Sequence, residues 1–196
     1  MIIGITGGIG SGKSYVARWL TRQYDIPVYD CDREAKRLMT SDVLRPAIVD
    51  LLGTDAYLPD GRLNKALLAD YVFRDAAHQA AVNAIVHPAV KDDFRRWASA
   101  HEGIVAIESA ILVEAGFTDA VDVLIAVEAP LAVRLQRVTQ RDGATPEQTA
   151  ARMRRQLGDE ARRAAADYVV VNDGRDLEPQ LRIFIDSLFA RLPQNV

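Results

Sequence analysis

The feature that most constrains this chain is a glycine-rich loop near its beginning. Residues 7–14 read Gly-Gly-Ile-Gly-Ser-Gly-Lys-Ser, a G-x-x-x-x-G-K-S pattern that follows the apolar run 1–5. The next apolar and aromatic residues recur at helical spacing, which predicts a helix after the loop. They are Tyr15, Val16, Trp19 and Leu20. Glycines let the backbone direct successive N–H groups at phosphate oxygens, and the helix N-terminus adds partial positive charge. In this pattern Lys13 reaches the β- and γ-phosphates and the Ser14 hydroxyl binds Mg²⁺, so the sequence predicts a nucleoside triphosphate site.

Five short apolar runs are typical of buried parallel strands: 2–6, 26–30, 104–109, 122–127 and 168–172. Helical patterns separate these runs, which indicates an α/β chain whose first crossover carries the phosphate loop. We predict a P-loop NTPase-type five-stranded parallel sheet with flanking helices, a helical substrate-binding insertion and an Arg-rich helical lid. The predicted single domain, 1–196, comprises a core of about 1–32, 101–137 and 165–196, an insertion of about 33–100 and a lid of about 138–164.

The predicted insertion follows from the spacing of the second and third strands. About seventy residues of mostly helical pattern separate these strands, far more than one crossover requires. Gly53 and Asp60-Gly61 indicate turns within it, and Pro88 suits the first position of a helix. We expect this insertion to cover the site and to hold the second substrate.

The predicted lid is rich in arginine. Pro130 is expected to open a helix that runs to about Arg141 and ends at 142–143, and the capping box at 145–148 starts the next helix. Arginine forks bind phosphate oxygens bidentately and stay charged, which favours a lid that closes over phosphates. The alternative is a solvated helical face on which the arginines pair with nearby acids. The arginines concerned are Arg134, Arg137, Arg141, Arg152, Arg154, Arg155, Arg162 and Arg163.

Composition and charge exclude several classes of protein. With 49% apolar residues the chain can bury a sizeable core, but no stretch is long and apolar enough to span a membrane. A formal net charge of −3 gives no general attraction to nucleic acid or to an anionic membrane. The single cysteine, Cys31, fits a reducing compartment. We expect no cleavable signal, because cleavage would remove the first strand and the phosphate loop. We expect a cytoplasmic enzyme, a monomer or small homo-oligomer, with neither nucleic acid nor membrane as partner.

A GTPase shares the phosphate loop but needs a guanine-reading Asn-Lys-x-Asp after a late strand. The Asn-Lys of this chain, Asn64-Lys65, lies in the predicted insertion and lacks the aspartate. The letters Asp50-Leu51-Leu52-Gly53 match the D-x-x-G of GTPases, but they end a helical pattern in which Gly53 is expected to be the C-cap. The sequence therefore favours a small-molecule kinase over a GTPase.

Acidic residues follow two of the predicted strands. The second strand ends in Tyr29-Asp30-Cys31-Asp32 and the third in Ile107-Glu108-Ser109. Ligands bind at the carboxyl edge of open α/β sheets, so these carboxylates are candidates to act on an acceptor hydroxyl. Glu108 is suited to hold a Mg²⁺-bound water. For Asp30 or Asp32 the alternative is N-capping of a helix that starts at Arg33.

The chain resembles dephospho-coenzyme A kinases over nearly its whole length. The phosphate loop from Thr6, the acids Asp30-Cys31-Asp32 (Asp-Ala-Asp in that family) and His87-Pro88 stand in the family's order. The other matching segments are Leu63-Asn64, Val72-Phe73, Leu112-Val113-Glu114, Gln140-Arg141-Asp142, Gln156, Ala166-Asp167 and Asn172-Asp173-Gly174. The chain departs from the family at Ala110-Ile111, where proline is common, and at Lys65, where arginine is common.

The resemblance implies transfer of the ATP γ-phosphoryl group to the ribose 3′-hydroxyl of dephospho-coenzyme A. It implies Asp32 as general base and Lys13 and Arg141 as the clamp on the γ-phosphate. Ser14 remains the predicted Mg²⁺ ligand, with Glu108 acting through a water. The implied ATP-binding residues are Gly8, Ile9, Gly10, Ser11, Gly12, Lys13, Ser14, Tyr15 and Asn172. The implied acceptor-binding residues are Asp32, His87, Leu112 and Glu114.

Two other classes remain open at this point. A nucleoside monophosphate kinase shares the loop, an arginine lid and a helical acceptor insertion. A non-catalytic nucleotide-binding regulator needs neither Asp32 nor a lid that closes over phosphates, so the acids and lid arginines argue against it. A turnover assay with a panel of acceptors separates these classes.

Overall fold

The computed structural model describes residues 1–191, which divide into two compact units. One unit is formed by Met1–Val28 together with the chain from Glu102 onward, and the other by Tyr29–His101. Across residues 1–191, every helix is too short or too polar to cross a membrane.

The strands are β1 (Ile2–Thr6), β2 (Val28–Asp30), β3 (Val105–Glu108), β4 (Val123–Glu128) and β5 (Tyr168–Val171). They form a five-stranded parallel sheet in the order β2-β3-β1-β4-β5. The central strand β1 pairs with β3 on one side, Ile5 opposite Glu108, and with β4 on the other, Thr6 opposite Ala126. Each predicted apolar run overlaps one of these strands, and β4 extends one residue beyond its run, to Glu128. The predicted α/β fold with a parallel sheet is confirmed.

The helices of the described chain are α1 (Lys13–Tyr24), α2 (Cys31–Met39), α3 (Arg45–Leu52), α4 (Lys65–Arg74), α5 (Ala76–Ser99), α6 (Leu131–Asp142), α7 (Pro146–Arg154), α8 (Asp159–Ala165) and α9 (Glu178–Phe189). Short 3₁₀ turns lie at Thr54–Ala56 and Thr118–Ala120. Helices α2 to α5 belong to the second unit, so the chain between β2 and β3 is helical, as its pattern predicted.

One cluster of buried apolar side chains packs α1 and α9 against one face of the sheet. The alternate residues Ile3 and Ile5 of β1 belong to it, because alternate strand residues point to the same face. Each fully buried aliphatic side chain contributes about 1.5–3 kcal/mol relative to exposure, so the cluster fixes β1 and the loop that follows it. Its helical members are Val16, Ala17, Trp19, Leu20, Leu181, Phe184, Ile185 and Leu188.

The second unit has an aromatic centre. The ring of Tyr29, which is 1% exposed, lies 5.3 Å from the ring of Phe94 and 5.4 Å from that of Trp97. Its hydroxyl donates to Asp93 Oδ2 at 2.7 Å, and the same oxygen accepts from Arg37 Nη2 at 2.6 Å. Burial, with the Asp93 carboxylate next to the hydroxyl, raises the pKa of Tyr29 far above its usual value. These contacts connect the end of β2 to α2 and α5.

The helix start predicted at Pro88 is wrong, because Pro88 lies inside α5. An interior proline removes one backbone hydrogen bond and costs a helix about 3 kcal/mol. However, valines and a phenylalanine spaced four residues apart are buried on both sides of it, and each contributes about 1.5–3 kcal/mol. Burial of one continuous face therefore outweighs the local penalty. The residues of that face are Val82, Val86, Val90 and Phe94.

Helix boundaries that depend on local capping agree with the sequence. Helix α6 ends at the C-cap Gly143 with φ 63°, and α7 begins with the complete capping box of Thr145 and Gln148. Gly53 is the C-cap of α3, so the D-x-x-G letters belong to a helix end. Helix α2 starts at Cys31, two residues before the predicted start at Arg33. The predicted lid also contains a further helix, α8.

Candidate active site

The phosphate loop joins β1 to α1 and is shaped by its own backbone. Ser11 N–H donates to Gly8 O at 3.0 Å, and Tyr15 N–H donates to the carbonyl of the N-cap Gly12 at 2.9 Å. The first N–H groups of a helix have no acceptor within the helix and carry partial positive charge. The loop therefore presents backbone donors at the N-terminus of α1, which is the geometry that binds phosphate.

Gly12 meets two requirements that a larger residue does not meet. Its φ of 104° lies in the left-handed region that side chains disfavour. A Cβ atom at this position would also lie 2.2 Å from Asn172 Nδ2. That nitrogen donates to Ser11 O at 2.8 Å, so the chain after β5 supports the loop from the side. The predicted ATP-binding residue Asn172 thus contacts the loop directly.

Lys13 and Ser14 are the first two residues of α1. Lys13 is 8% exposed, and its ammonium donates to Gly8 O at 3.4 Å, so the side chain folds back over the loop. The Ser14 hydroxyl donates to Glu108 Oε1 at 3.0 Å, because β1 and β3 are paired and Glu108 ends β3. The structure therefore brings together the two residues that the sequence assigned to Mg²⁺.

The oxygens of Ser14 and Glu108 fit a magnesium ion. Among residues 1–191 no group of three or more His, Cys, Asp or Glu side chains is placed to hold a metal. Mg²⁺ next to a nucleotide needs no such group, since it takes most of its ligands from phosphates and waters and one or two from protein oxygens. A hydroxyl 3.0 Å from a carboxylate is a donor set of that kind.

A cavity of about 360 Å³ opens beside the loop, within the usual size range of small-molecule sites. Asn172 Oδ1 accepts from Arg137 Nη2 at 3.0 Å at this cavity, so its amide lies between the loop and α6. The cavity is lined by Gly12, Tyr15, Arg137, Asn172, Arg175, Asp176 and Leu177. Three of these residues, Gly12, Tyr15 and Asn172, were predicted to bind ATP.

The other four residues were not assigned to the site from the sequence. The sequence predicts Arg137 as one of the lid arginines, whereas the structure places it at the nucleotide cavity. Residues 175–177 directly follow Asn172-Asp173-Gly174, a segment that the family resemblance already included. Proximity to that segment is the signal that would have found them.

Arg141 lies at the end of α6 and is exposed. Its guanidinium donates to both carboxylate oxygens of Asp142, at 2.7 and 3.2 Å, and Asp142 Oδ2 also accepts from Arg152 Nη1 at 2.6 Å. The hydrogen bond from Arg141, followed by that from Arg152, lowers the pKa of Asp142 to about 2. The structure thus shows the predicted γ-phosphate clamp paired with the neighbouring acid.

The acids at the end of β2 and the start of α2 lie in the second unit. Asp30 is the N-cap of α2, and its Oδ1 accepts from Arg33 N–H at 3.0 Å. Asp32 lies in the first turn of α2 and is exposed. His87 is half-buried within α5, and burial lowers its pKa. Of the two aspartates, Asp30 therefore carries the capping function that the sequence left open.

Leu112 and Glu114, predicted to bind the acceptor, follow β3 in the first unit. Leu112 is fully buried, and Glu114 Oε1 accepts from Leu157 N–H at 2.8 Å. Their assignment to acceptor binding stays a prediction. The contacts described here connect this segment to the chain between α7 and α8.

Comparison with known proteins shows the family of the chain. The sequence profile of dephospho-CoA kinase matches residues 1–178. The chain belongs to the dephospho-CoA kinase family. A dephospho-CoA kinase from Bacteroides fragilis (strain YCH46) is 44% identical over 194 residues, which cover 97% of this chain and 94% of that protein. The family membership inferred from the motifs is thus confirmed, and the family is one of ATP-dependent kinases.

Solved structures share the fold of this chain. A crystal structure of a protein from Thermus thermophilus is similar with a TM-score of 0.81 and 35% identity, covering 98% of this chain and 97% of that one. Dephospho-CoA kinase from Campylobacter jejuni has a TM-score of 0.68 at 17% identity, covering 95% and 96%. At that low identity the second likeness shows a common fold.

Proposed function

We propose that this protein transfers the γ-phosphoryl group of ATP to the ribose 3′-hydroxyl of dephospho-coenzyme A, giving coenzyme A and ADP. The observation that carries the proposal is the phosphate loop with Lys13 and the Ser14–Glu108 pair beside a nucleotide-sized cavity, in a member of this family. A nucleoside monophosphate kinase would use the same loop, but the family match favours dephospho-coenzyme A as acceptor.

Phosphoryl transfer depends mainly on positioning and on neutralising charge. The loop N–H groups and the N-terminus of α1 bind the phosphates, and the Lys13 ammonium exchanges its contact with Gly8 O for the β- and γ-phosphate oxygens. Ser14 would bind Mg²⁺ and Glu108 would hold the ion through a water, and the bound ion would neutralise charge on the triphosphate. Arg137 and Asn172 hold the nucleoside in the cavity.

The acceptor oxygen needs a base that is close and not otherwise occupied. Asp30 is engaged in capping α2, whereas Asp32 is exposed in the first turn, so we assign the base to Asp32. The 3′-oxygen forms a bond to the γ-phosphorus while the bond from that phosphorus to the β,γ-bridging oxygen breaks. The hydroxyl proton passes to the Asp32 carboxylate, and ADP leaves.

We assign Arg141 to the γ-phosphate in the closed state. To reach it, the guanidinium must leave Asp142, and the charge of a triphosphate is the stronger partner for an arginine fork. His87, Leu112 and Glu114 are proposed to contact the acceptor.

An acceptor panel tests the reaction. With Mg²⁺ and ATP, the protein should phosphorylate dephospho-coenzyme A and leave AMP, CMP and UMP essentially unchanged, with ³¹P NMR of the product showing a 3′-phosphomonoester. Adenosine should be a poor acceptor in kcat as well as KM, because remote contacts of the pantetheine arm position the hydroxyl. The same preparation carrying Lys13→Ala controls for contaminating kinases. Faster turnover of AMP than of dephospho-coenzyme A would establish the monophosphate kinase instead.

A further inference from the structure

Both backbone polar groups of Ile9, in the middle of the phosphate loop, are held by side chains from distant parts of the chain. Ile9 N–H donates to Gln156 Oε1 at 2.8 Å, and Ile9 O accepts from Arg134 Nε at 3.0 Å. Gln156 Nε2 also donates to Ala110 O at 3.3 Å, which fixes the amide at its other end. Rotation of the peptides around Ile9 would therefore break hydrogen bonds on both sides.

Arg134 is itself held rigidly. Its Nη1 donates to both carboxylate oxygens of Asp159, at 3.0 and 2.9 Å, and Asp159 Oδ1 also accepts from Arg162 Nη1 at 2.7 Å. Arg162 Nη2 in turn donates to Leu157 O at 2.5 Å. The side chains of Arg134 and Arg162 are 6% and 2% exposed. We call Arg134, Gln156, Asp159 and Arg162 the Ile9 clamp.

The Ile9 clamp lies directly against the loop. A Cβ atom at Gly8 would be 2.0 Å from Arg134 Nη2, so the guanidinium occupies the space that a side chain would need. Two buried guanidiniums share one carboxylate, and Arg162 Nε has no partner among the described residues. Burying charge costs free energy, and such groups add little stability over well-packed apolar ones. A stabilising role alone therefore does not account for charged groups at this position.

We propose that Arg134 and Gln156 are positioning residues for the triphosphate, holding Ile9 so that the loop is preorganised before ATP binds. Asp159 and Arg162 keep Arg134 in place. This inference rests on the proposed use of ATP. It also places Gln156, within the predicted lid, in contact with the phosphate loop, and Asp159 and Arg162 in contact with it through Arg134, so that closure involves the chain before Gln156.

A loop that is no longer preorganised must be ordered by ATP itself, which weakens binding of ATP and leaves the acceptor contacts unchanged. We therefore expect Gln156→Met and Arg134→Lys each to raise the Kd of ATP, and its KM, about tenfold. The KM of dephospho-coenzyme A should stay within about twofold of the wild-type value, because the hydrogen bonds that these substitutions remove go to Ile9 and Ala110 and not to an assigned acceptor residue. Isothermal titration and two-substrate kinetics give these values, and the melting temperature reports the fold.

Gln180 offers a matched control. Its amide also bonds the backbone at both ends, accepting from Val171 N–H at 2.9 Å and donating to Val171 O at 3.1 Å. Gln180→Met removes equivalent bonds from β5, so it should lower the melting temperature about as much as Gln156→Met, with ATP Kd changed by less than about twofold. A merely structural clamp would make the two glutamine variants alike in ATP Kd.

Asp159→Asn covers the case in which Arg134→Lys does not fold, because Asp159 is half-exposed and asparagine has the same shape. It should raise the ATP Kd about threefold by loosening Arg134. If folded Gln156→Met and Asp159→Asn bind ATP with the wild-type Kd, and the wild-type protein turns over normally, the positioning role of the Ile9 clamp is wrong and the proposed function still stands. A wild-type protein that neither binds ATP nor transfers phosphate overturns the proposed function together with it.

Discussion

Arg134 and Arg141 belong to the same helix, yet the structure uses them in opposite ways. They are seven residues apart, about two helical turns, so they project from nearly the same face of α6 but lie about 10 Å apart along it. Arg134 is 6% exposed and bonded to the phosphate loop, whereas the side chain of Arg141 is 64% exposed and bonded to its neighbour Asp142. Distance from the loop, rather than residue type, separates the two.

Arg137 lies between them along α6. It donates to Asn172 Oδ1 at the cavity and to Gly10 O, at 3.5 Å, in the phosphate loop. The face of α6 therefore changes from fixed contacts near the loop to exchangeable ones at its far end. A buried, fully bonded guanidinium can shape a site but cannot move, while an exposed one can change partners during turnover. We therefore expect substitution of a buried arginine to change the Kd of ATP, and substitution of an exposed arginine to change kcat.

The largest effect is expected within the loop itself. Lys13→Ala removes the cation assigned to the β- and γ-phosphates and should lower kcat by about 10³–10⁵. Because the ammonium donates to Gly8 O within the loop itself, the helices and strands should persist and the circular dichroism spectrum should stay unchanged. Turnover close to wild type in a folded variant would remove the phosphate loop from the chemistry.

The next largest loss of kcat is expected when the proposed base, Asp32, is replaced. Asp32→Asn should lower kcat by about 10²–10⁴, with little change in the Kd of ATP, because the proton loses its acceptor. Asp30→Asn is the matched control: asparagine keeps the oxygen that caps α2, so the melting temperature should stay nearly unchanged and kcat should fall less. A larger loss of kcat in Asp30→Asn would reassign the base to that carboxylate.

Arg141 provides the direct contrast with Arg134. Arg141→Ala should lower kcat by about 10–100-fold and leave the Kd of ATP nearly unchanged, since its contact forms on closure. Arg152→Ala removes the other cation that binds Asp142 and should change kcat less than about threefold. If Arg141→Ala instead raised the ATP Kd as Arg134→Lys is expected to, the proposed division along α6 would be wrong.

The parts of the fold that the sequence predicted correctly are set by residues that are close together in the sequence. The strand–loop–helix around Lys13, the helix end at Gly143 and the capping box of Thr145 and Gln148 each follow from residues within a few positions. Pro88 was misjudged because the energy that keeps α5 continuous comes from tertiary burial, which a local rule does not include.

The supports of the phosphate loop could not be predicted in this way. Ile9 binds partners 125 and 147 positions away. The family resemblance included Gln156, but no local pattern near Arg134 or Gln156 indicates a contact with the loop. For the same reason the sequence grouped Arg134, Arg137 and Arg141 as lid arginines. Only the fold separates an arginine that shapes the loop from one that stays exposed.

The smallest expected effect is on the pKa of Asp142, the carboxylate that pairs with Arg141. Arg141 first, and Arg152 second, lower the pKa of Asp142 from 3.8 to about 2. A carboxyl group whose pKa is lower in the folded state stabilises the fold above its unfolded pKa, and this contribution is lost as the pH falls toward 2. The pair is largely exposed, so the effect on stability is small and is better read from the pKa by NMR titration.

In that titration, Arg141→Ala and Arg152→Ala should each raise the pKa of Asp142, because each removes a cation that favours the carboxylate. ADP with dephospho-coenzyme A and a γ-phosphate mimic should also raise it in the wild-type protein, since Arg141 then leaves Asp142 for the phosphate, while ADP alone should not. An Asp142 pKa that stays near 2 in the closed complex would mean that Arg141 never leaves its neighbour. The exposed end of α6 would then be as fixed as the buried one, and the γ-phosphate would need another cation.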